Sequence, residues 1–142
     1  MGILNLLAQL KEERGISYVY ITHDLSSARY IGDKAMVMCA GHMVEGGDSE
    51  EIMGSPAHPY TQLLLSAVPD PHAGLRTQKD ICARGEVPSL INPPPVCLFA
   101  SRCSHAMDIC RLVNPRPAEV IPSHWVCYHL FGTGSERQIQ EG

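Results

Sequence analysis

The sequence predicts an α/β fold that continues into a small cysteine-rich region dominated by loops. Residues 3–14 carry apolar side chains at helical spacing, and residues 16–22 form an unbroken β-branched and aromatic run. Only one of the eleven prolines and one of the six cysteines come before residue 58. The alternation of helices and strands is typical of the edge of a parallel sheet, so we expect the first part to need neighbouring structure to bury a core.

Composition excludes several classes of function. The chain has 142 residues, of which 18% are charged, and a formal net charge of -4. Its length fits one ordinary domain or two small ones. No apolar run approaches the roughly 18 residues of a membrane helix, and no basic cluster suggests a nucleic-acid partner. Because the N-terminal residues lack the features of a signal peptide, we expect a reducing compartment, where cysteines favour metal or redox chemistry over disulfides.

The first predicted elements run in the order helix, strand, helix. The helix over residues 3–14 ends at Gly15, a residue suited to the position just after a helix. Residues 16–22 have the length and composition of a buried strand. Asp24 or Ser26 is expected to cap a short helix that follows.

A hairpin is predicted next. Residues 35–39 form its first strand, Gly41-His42 its turn, and residues 43–45 its return strand, which Gly46-Gly47 ends. Cys39 is expected to pack in the first strand as a small hydrophobic side chain.

Two further helices complete the prediction. Asp48 and Glu51 have the spacing of a capping box at the start of the first. The second is predicted over residues 60–67, where Pro69 and Pro71 stop it.

The segment His58-Pro59-Tyr60-Thr61 precedes that second helix, and we interpret it as a rigid entry turn. Pro59 fixes φ, and Tyr60 anchors the helix against the sheet.

His23 stands at the C-terminal end of the predicted strand, and two interpretations of it are open. Ligands of open α/β sheets bind beyond this end, where a neutral imidazole can donate to a phosphate oxygen or position a water. Alternatively, His23 is a polar residue that ends a buried strand and reaches solvent. The chemistry of the residue alone favours the second interpretation.

Four cysteines form a candidate metal centre. Cys97, Cys103, Cys110 and Cys127 are spaced C-x5-C-x6-C-x16-C. Four thiolates suit tetrahedral zinc or an iron–sulfur cluster, and the absence of a close C-x2-4-C pair favours the cluster. Reduced, unliganded cysteines and disulfides remain the alternatives, and Cys82 lies outside the spaced set.

Other side chains near these cysteines are expected to support the centre. Phe99 and Trp125 can pack around it, and Arg102 can place positive charge beside the thiolates. His105 or His124 could replace one sulfur ligand.

Three stretches of this chain resemble a known family. YVYITHDLSSARYIGDKAMVMCAGHMVEGG is similar to the region around the switch histidine of ATP-binding-cassette ATPases. SPAHPYTQLLLSAVPDP and GEVPSLINPPPVCLFASRC are similar to elements of the oligopeptide/dipeptide importer branch of that family. The resemblance covers roughly residues 3–131.

The resemblance implies a fold and a set of site residues. The fold would be the C-terminal edge of a P-loop ATPase nucleotide-binding domain, followed by the small cysteine-rich domain. His23 would contact the ATP γ-phosphate, and Asp24 would lie beside it near the face where two ATPase subunits meet. Cysteines that match the four spaced ones would hold a [4Fe-4S] cluster, with zinc as the alternative.

The resemblance also implies a domain division and partners. Residues 1–55 would be the end of the ATPase domain, residues 56–131 the importer-type C-terminal domain, and residues 132–142 a tail. The intact subunit would use ATP and Mg²⁺ to drive peptide uptake, with a second ATP-binding subunit and transmembrane permease subunits. It would lie peripherally at the cytoplasmic face of the inner or plasma membrane.

The chain departs from the family pattern in what it lacks. It contains no G-x-x-x-x-G-K-[ST] loop, no Leu-Ser-Gly-Gly-Gln signature and no apolar strand ending in Asp-Glu. We therefore expect it to be a C-terminal fragment that does not hydrolyse ATP alone. The alternative function is a stand-alone iron–sulfur or zinc-binding interaction module without ATPase activity.

Overall fold

The computed structural model describes residues 2–68 and 91–132. Three predictions concern residues outside these ranges. They are the spare Cys82, the end of the second helix at Pro69 and Pro71, and most of the tail over residues 132–142. The helices are α1 Ile3–Arg14, α2 Leu25–Ile31, α3 Ser49–Gly54, α4 Pro59–Ser66 and α5 His129–Gly132, with a 3₁₀ turn at Asp108–Arg111. The strands are β1 Lys34–Cys39, β2 His42–Asp48, β3 Pro117–Ile121 and β4 His124–Cys127.

The four strands form one antiparallel sheet in the order β1-β2-β4-β3. The β1–β2 hairpin turns at Ala40-Gly41, where both residues have positive φ, 49° and 82°. Two successive positive φ angles are what a type I′ turn requires, and its twist matches that of the flanking strands. The expected parallel edge is thus absent from the described part of the chain, where the sheet is built from hairpins.

The pairing of β2 with β4 joins the early part of the chain to its cysteine-rich part. Glu45 lies opposite Val126, and Gly46 lies opposite Trp125. A Cβ atom on Gly46 would come within 2.6 Å of the Trp125 ring, so the strands can approach this closely only because residue 46 is glycine. The proposed domain boundary at residues 55 and 56 stays a prediction, and the sheet contains strands from both sides of it.

Several predicted elements are confirmed. Helix α1 has the predicted bounds, and Gly15 follows it with φ 61° in the left-handed region. Asp24 caps α2 by accepting a hydrogen bond from the Ser26 backbone N–H. Cys39 is buried within the core, as expected of a small hydrophobic side chain.

The strand predicted over residues 16–22 is wrong for the described chain, because this segment is irregular. Val19 and Ile21 are each 91% exposed. The hydroxyls of Tyr18 and Tyr20 instead bond to α2, at the Ile31 carbonyl and the Ser27 hydroxyl. A strand exists only where a neighbour completes its backbone hydrogen bonds, and no described strand lies alongside.

Two local predictions around β2 and α3 are also wrong. Strand β2 continues through Gly46-Gly47 to Asp48 instead of ending before the glycines, because β4 pairs with it there. Helix α3 begins at Ser49 as the pattern suggested, but the Asp48 side chain makes no cap hydrogen bond. The Asp48 carboxylate contacts Lys34 Nζ at 2.6 Å across the β1–β2 pair instead.

The core lies where α3, α4 and residues 97–103 pack on the β1–β2 hairpin. Its central side chains are buried, and partly buried neighbours, Cys97 and Cys103 among them, pack against them. The buried members are Val37, Cys39, Val44, Ile52 and Phe99. None of the helices in residues 2–68 and 91–132 is long and apolar enough to cross a membrane.

Replacing Gly46 tests the close approach of β2 and β4. The Gly46→Ala variant is expected to lose about 1–3 kcal/mol of unfolding free energy, because the new methyl group forces the Trp125 ring to move. Urea denaturation measures the change. Gly54→Ala is the matched control, since a Cβ there meets no atom within 4 Å, and it should be neutral or slightly stabilising. Equal effects of the two changes would contradict the packing described.

Candidate functional site

A fully buried carboxylate lies at the centre of the folded region. Glu45 is 0% exposed, on the strand that joins β1 to β4. Its Oε1 accepts the Ala57 N–H at 2.6 Å, and its Oε2 accepts the His58 N–H at 3.2 Å. His124 Nε2 lies 2.7 Å from Oε1 and is the third donor. A buried carboxylate is tolerated only with such partners, so Glu45 fixes three separate segments relative to one another.

His58 begins α4 and has a fixed tautomer. Its Nδ1 accepts the Tyr60 backbone N–H at 3.0 Å, which makes its side chain the helix cap. Because Nδ1 accepts, the neutral ring carries its proton on Nε2. The ring is 2% exposed, and burial lowers the pKa of His58 from 6.5 to about 4, although Glu45 acts in the opposite direction. His58 is therefore neutral at physiological pH.

Aromatic rings and thiols surround His58. Its ring centroid lies 5.6 Å from those of Phe99 and Tyr128. His58 also lines a cavity together with Cys97 and Cys127. Two of the four candidate ligands therefore face the same space although thirty positions separate them in the sequence.

The remaining candidate ligands lie in the loop around the 3₁₀ turn. The Cys97 N–H donates to the Cys110 carbonyl at 3.0 Å, which ties the two positions together. Burial raises the pKa of the Cys97 thiol, and nearby Cys110 and Cys103 raise it further against the opposing effect of backbone N–H groups. Burial also raises the pKa of Cys127. These thiols are protonated at neutral pH unless a cation displaces the proton.

The described residues contain no group of three or more His, Cys, Asp or Glu side chains already arranged to hold a metal ion. Cys97 is bonded through its N–H to the Cys110 carbonyl, Cys97 and Cys103 both pack against the core, and Cys127 lies on the cavity that Cys97 lines. The assignment of these four residues as metal ligands stays a prediction.

The side chains expected to support the metal centre are only partly placed as predicted. Phe99 packs beside Cys97 on the cavity. Trp125 packs against Gly46 instead. The Arg102 guanidinium lies 5.6 Å from the Phe99 ring centroid. Burial raises the pKa of Cys39, a thiol outside the predicted ligand set, and the Arg102 charge only opposes that rise. His124, the suggested substitute ligand, is already bonded to Glu45.

His23 and Asp24 lie on an exposed bend just before α2. The Asp24 N–H donates to the Thr22 hydroxyl at 3.0 Å, and its carboxylate accepts from Ser26 N–H at 3.0 Å. The backbone of the bend is thus held while the imidazole of His23 is accessible to a ligand. Their assignment as nucleotide-contacting residues stays a prediction.

Comparison with known proteins defines the class to which this arrangement belongs. Residues 44–110 match the family described as the C-terminal region of oligopeptide/dipeptide transporters. Residues 44–110 belong to this family, and the match includes Glu45, the His58 cap and three of the four spaced cysteines.

Individual relatives extend the similarity beyond that region. The chain is 38% identical over 137 residues to the putative oligopeptide transport ATP-binding protein YkfD of Bacillus subtilis, covering 96% of this chain and 42% of the relative. It is 43% identical over 129 residues to the dipeptide transport ATP-binding protein DppF of Haemophilus influenzae, covering 90% of this chain and 39% of the relative. The chain thus spans about two fifths of the length of these relatives.

Sequence reasoning missed Glu45 and the hydroxyl of Tyr128. A charged residue between Val44 and two glycines in a predicted strand was the available signal for a buried carboxylate, because a strand interior rarely keeps an unpaired charge. No local pattern indicated Tyr128, whose surroundings come from distant segments.

Neutralising Glu45 should destabilise the protein strongly. Glu45→Gln is expected to cost about 3 kcal/mol of unfolding free energy, because one amide hydrogen then faces a buried donor. The control is Glu50→Gln, at an exposed carboxylate 3.3 Å from Arg29, with an expected effect under about 0.5 kcal/mol. Urea denaturation of both variants measures the difference, and a mild Glu45→Gln effect would mean that the three bonds are not formed.

The His58 cap should make stability depend on pH. The folded pKa of about 4 lies below the unfolded value of 6.5, so the unfolded chain binds more protons between these pH values. Unfolding free energy should therefore fall as pH decreases from 6.5 to 4, by about 3 kcal/mol from this residue.

The His58→Asn variant isolates this contribution, since Asn keeps an oxygen that can cap α4 but does not titrate. The variant loses the packing of the imidazole ring at every pH, which lowers its stability by a constant amount. The informative quantity is therefore the slope of unfolding free energy against pH. Unfolding free energies of both proteins are measured from pH 7 to 4. Parallel profiles would contradict the assignment of the pH dependence to His58.

Proposed function

We propose that this chain supplies the C-terminal part of the ATP-binding subunit of a peptide importer. The observation that supports this most strongly is the family match over residues 44–110, together with similarity to peptide transport ATP-binding proteins over at least nine tenths of the chain. The same comparisons favour an importer subunit over the alternative of a stand-alone metal-binding module.

In this proposal His23 contacts the γ-phosphate of ATP. It lies on a bend whose backbone is held by hydrogen bonds from the Thr22 and Asp24 side chains. The position of its Cα atom is therefore fixed, and the exposed imidazole can be reached by a ligand. The role of such a residue is to donate to a phosphate oxygen or orient the attacking water. The phosphate-cradling loop and the Mg²⁺ ligands would come from sequence that this chain does not contain.

The proposal extends to partners and location. The functional unit would pair two ATP-binding subunits with transmembrane permease subunits, at the cytoplasmic face of the inner or plasma membrane. The exposed apolar side chains of Val19 and Ile21 support the need for further protein around residues 16–22, since large apolar residues rarely stay exposed without a partner surface.

Replacing His23 in a complete subunit tests the nucleotide role. His23→Ala should reduce the ATP hydrolysis rate of the assembled transporter by about 10²-fold or more and leave its thermal stability unchanged, because the side chain is exposed. Steady-state phosphate release measures the rate. His105→Ala, at another exposed histidine, is the control and should keep wild-type turnover. Unchanged hydrolysis in His23→Ala would rule out the role.

We also propose that Cys97, Cys103, Cys110 and Cys127 bind a soft metal centre, a [4Fe-4S] cluster first and zinc second. Sulfur donors suit both metals. The bond from the Cys97 N–H to the Cys110 carbonyl at 3.0 Å supports the proposal, as does the position of Cys97 and Cys127 on one cavity. The residues present therefore fit such a group chemically, and a metal there would stabilise a region with few regular elements.

Metal analysis tests this second proposal. Anaerobically purified protein should contain either iron and acid-labile sulfide in equal amounts or one zinc per chain. Cys110→Ala should abolish binding, whereas Cys39→Ala, at a buried thiol outside the set, should retain it. Wild-type protein with neither metal would refute the proposal.

A further inference from the structure

The backbone of the bend sets the direction of the His23 imidazole. The side chain is exposed, so packing against other residues does little to orient it. A group that contacts a reacting phosphate must be held near its productive position, because a displacement of about 1 Å can cost about 10²-fold in rate. The constraint on the backbone at residue 23 therefore decides how well the imidazole can meet a nucleotide.

A hydrogen bond across His23 supplies this constraint. The Asp24 N–H donates to Thr22 Oγ1 at 3.0 Å. Donor and acceptor belong to the residues directly before and after His23, so the bond closes a small ring that contains the His23 backbone. A ring of this kind restricts φ and ψ of the residue inside it, as local bonds from Ser and Thr side chains to the backbone do in turns.

The far side of the ring is anchored on α2. The Asp24 carboxylate accepts the Ser26 N–H at 3.0 Å, and the Asp24 carbonyl accepts the Ser27 hydroxyl at 2.9 Å. Ser27 is 7% exposed, so this anchor lies inside the folded region. Both bonds hold Asp24, but they lie on the C-terminal side of His23 and leave its φ and ψ unrestricted. The bond to Thr22 extends the anchor to His23.

A wider loop closes around the same bend. The Tyr20 hydroxyl donates to the Ser27 hydroxyl at 3.3 Å, which ties the incoming segment to α2. This bond encloses residues 21–26, and a longer closed loop keeps more conformations than a shorter one. It limits how far the bend can move, whereas the ring at Thr22 sets the backbone angles of His23.

We propose that the Thr22 hydroxyl positions His23 for its contact with the γ-phosphate of ATP. This inference rests on the proposed function of His23. It gives Thr22 a positioning role, because its oxygen accepts the Asp24 N–H and holds the bend without touching the nucleotide. A side chain that keeps an oxygen at this place can replace Thr22, and one of the same shape without the oxygen cannot.

Two substitutions separate the oxygen of Thr22 from its shape. They are made in a complete subunit assembled with its permease subunits. Thr22→Val should lower kcat for ATP hydrolysis about tenfold and leave KM for ATP within about twofold of wild type, because the groups that bind the nucleotide are unchanged. Thr22→Ser keeps the oxygen and should retain kcat within about twofold of wild type. Steady-state phosphate release at varied ATP concentration measures both constants.

Thr61→Val is the matched control. Thr61 is 1% exposed, and its hydroxyl makes no hydrogen bond with any described residue. The substitution makes the same atomic change as Thr22→Val but breaks no described hydrogen bond, so kcat and KM should match wild type. A fall in kcat as large as that of Thr22→Val would overturn the proposal, because the effect would not be specific to the bend.

A double-mutant cycle tests whether Thr22 acts through His23. In the His23→Ala background, Thr22→Val should change kcat by less than about twofold, because no imidazole remains to be positioned. A purely structural contribution of Thr22 would lower kcat by the same factor in both backgrounds. Equal losses in the wild-type and His23→Ala backgrounds would therefore contradict the positioning role.

The outcomes distinguish this inference from the proposed function. Unchanged hydrolysis in His23→Ala refutes both. Reduced hydrolysis in His23→Ala together with wild-type kcat in Thr22→Val refutes only the role of Thr22. A Thr22→Ser variant that loses about tenfold in kcat also refutes that role, even where Thr22→Val fails to assemble, because the retained oxygen would then have no effect.

Discussion

The buried carboxylate of Glu45 is the constraint on which the rest of the described structure depends. Its two oxygens accept from Ala57 and His58 on one side and meet His124 on the other. These groups come from β2, from the start of α4 and from β4. Desolvating a carboxylate is costly, so all three segments must be in place together, and the penalty for losing any one donor makes their arrangement cooperative.

This constraint explains how side chains from a region with few regular elements come to line one cavity. Once β4 is held against β2, Cys127 faces the cavity that Cys97 lines, and Tyr128 follows directly beside His58. The local turn around Cys110 places the carbonyl of that residue 3.0 Å from the Cys97 N–H. A metal would then tighten an arrangement that the Glu45 bonds have already assembled, and a small core of this kind gains from such a cross-link.

Sequence patterns predicted the elements that are stabilised locally and failed where stability comes from a distant partner. Helix α1 and the Asp24 cap depend on residues within one turn, and both are confirmed. Residues 16–22 have strand composition but no described neighbour to complete their hydrogen bonds. Asp48 has the sequence of a cap residue but faces Lys34 across the hairpin, where an ion pair competes with the cap. In each failure the deciding partner lies far away in the sequence or is not among the described residues.

The sequence alone indicated the family, the four spaced cysteines and the histidine that follows residues 16–22, because these depend on which residues are present and in what order. Only the tertiary structure showed that Glu45 is buried, that His58 caps α4 as a neutral imidazole and that the Tyr128 hydroxyl is buried. Burial and hydrogen-bond partners are properties of the packed chain. They arise when β2 and β4, nearly eighty residues apart, come within hydrogen-bonding distance.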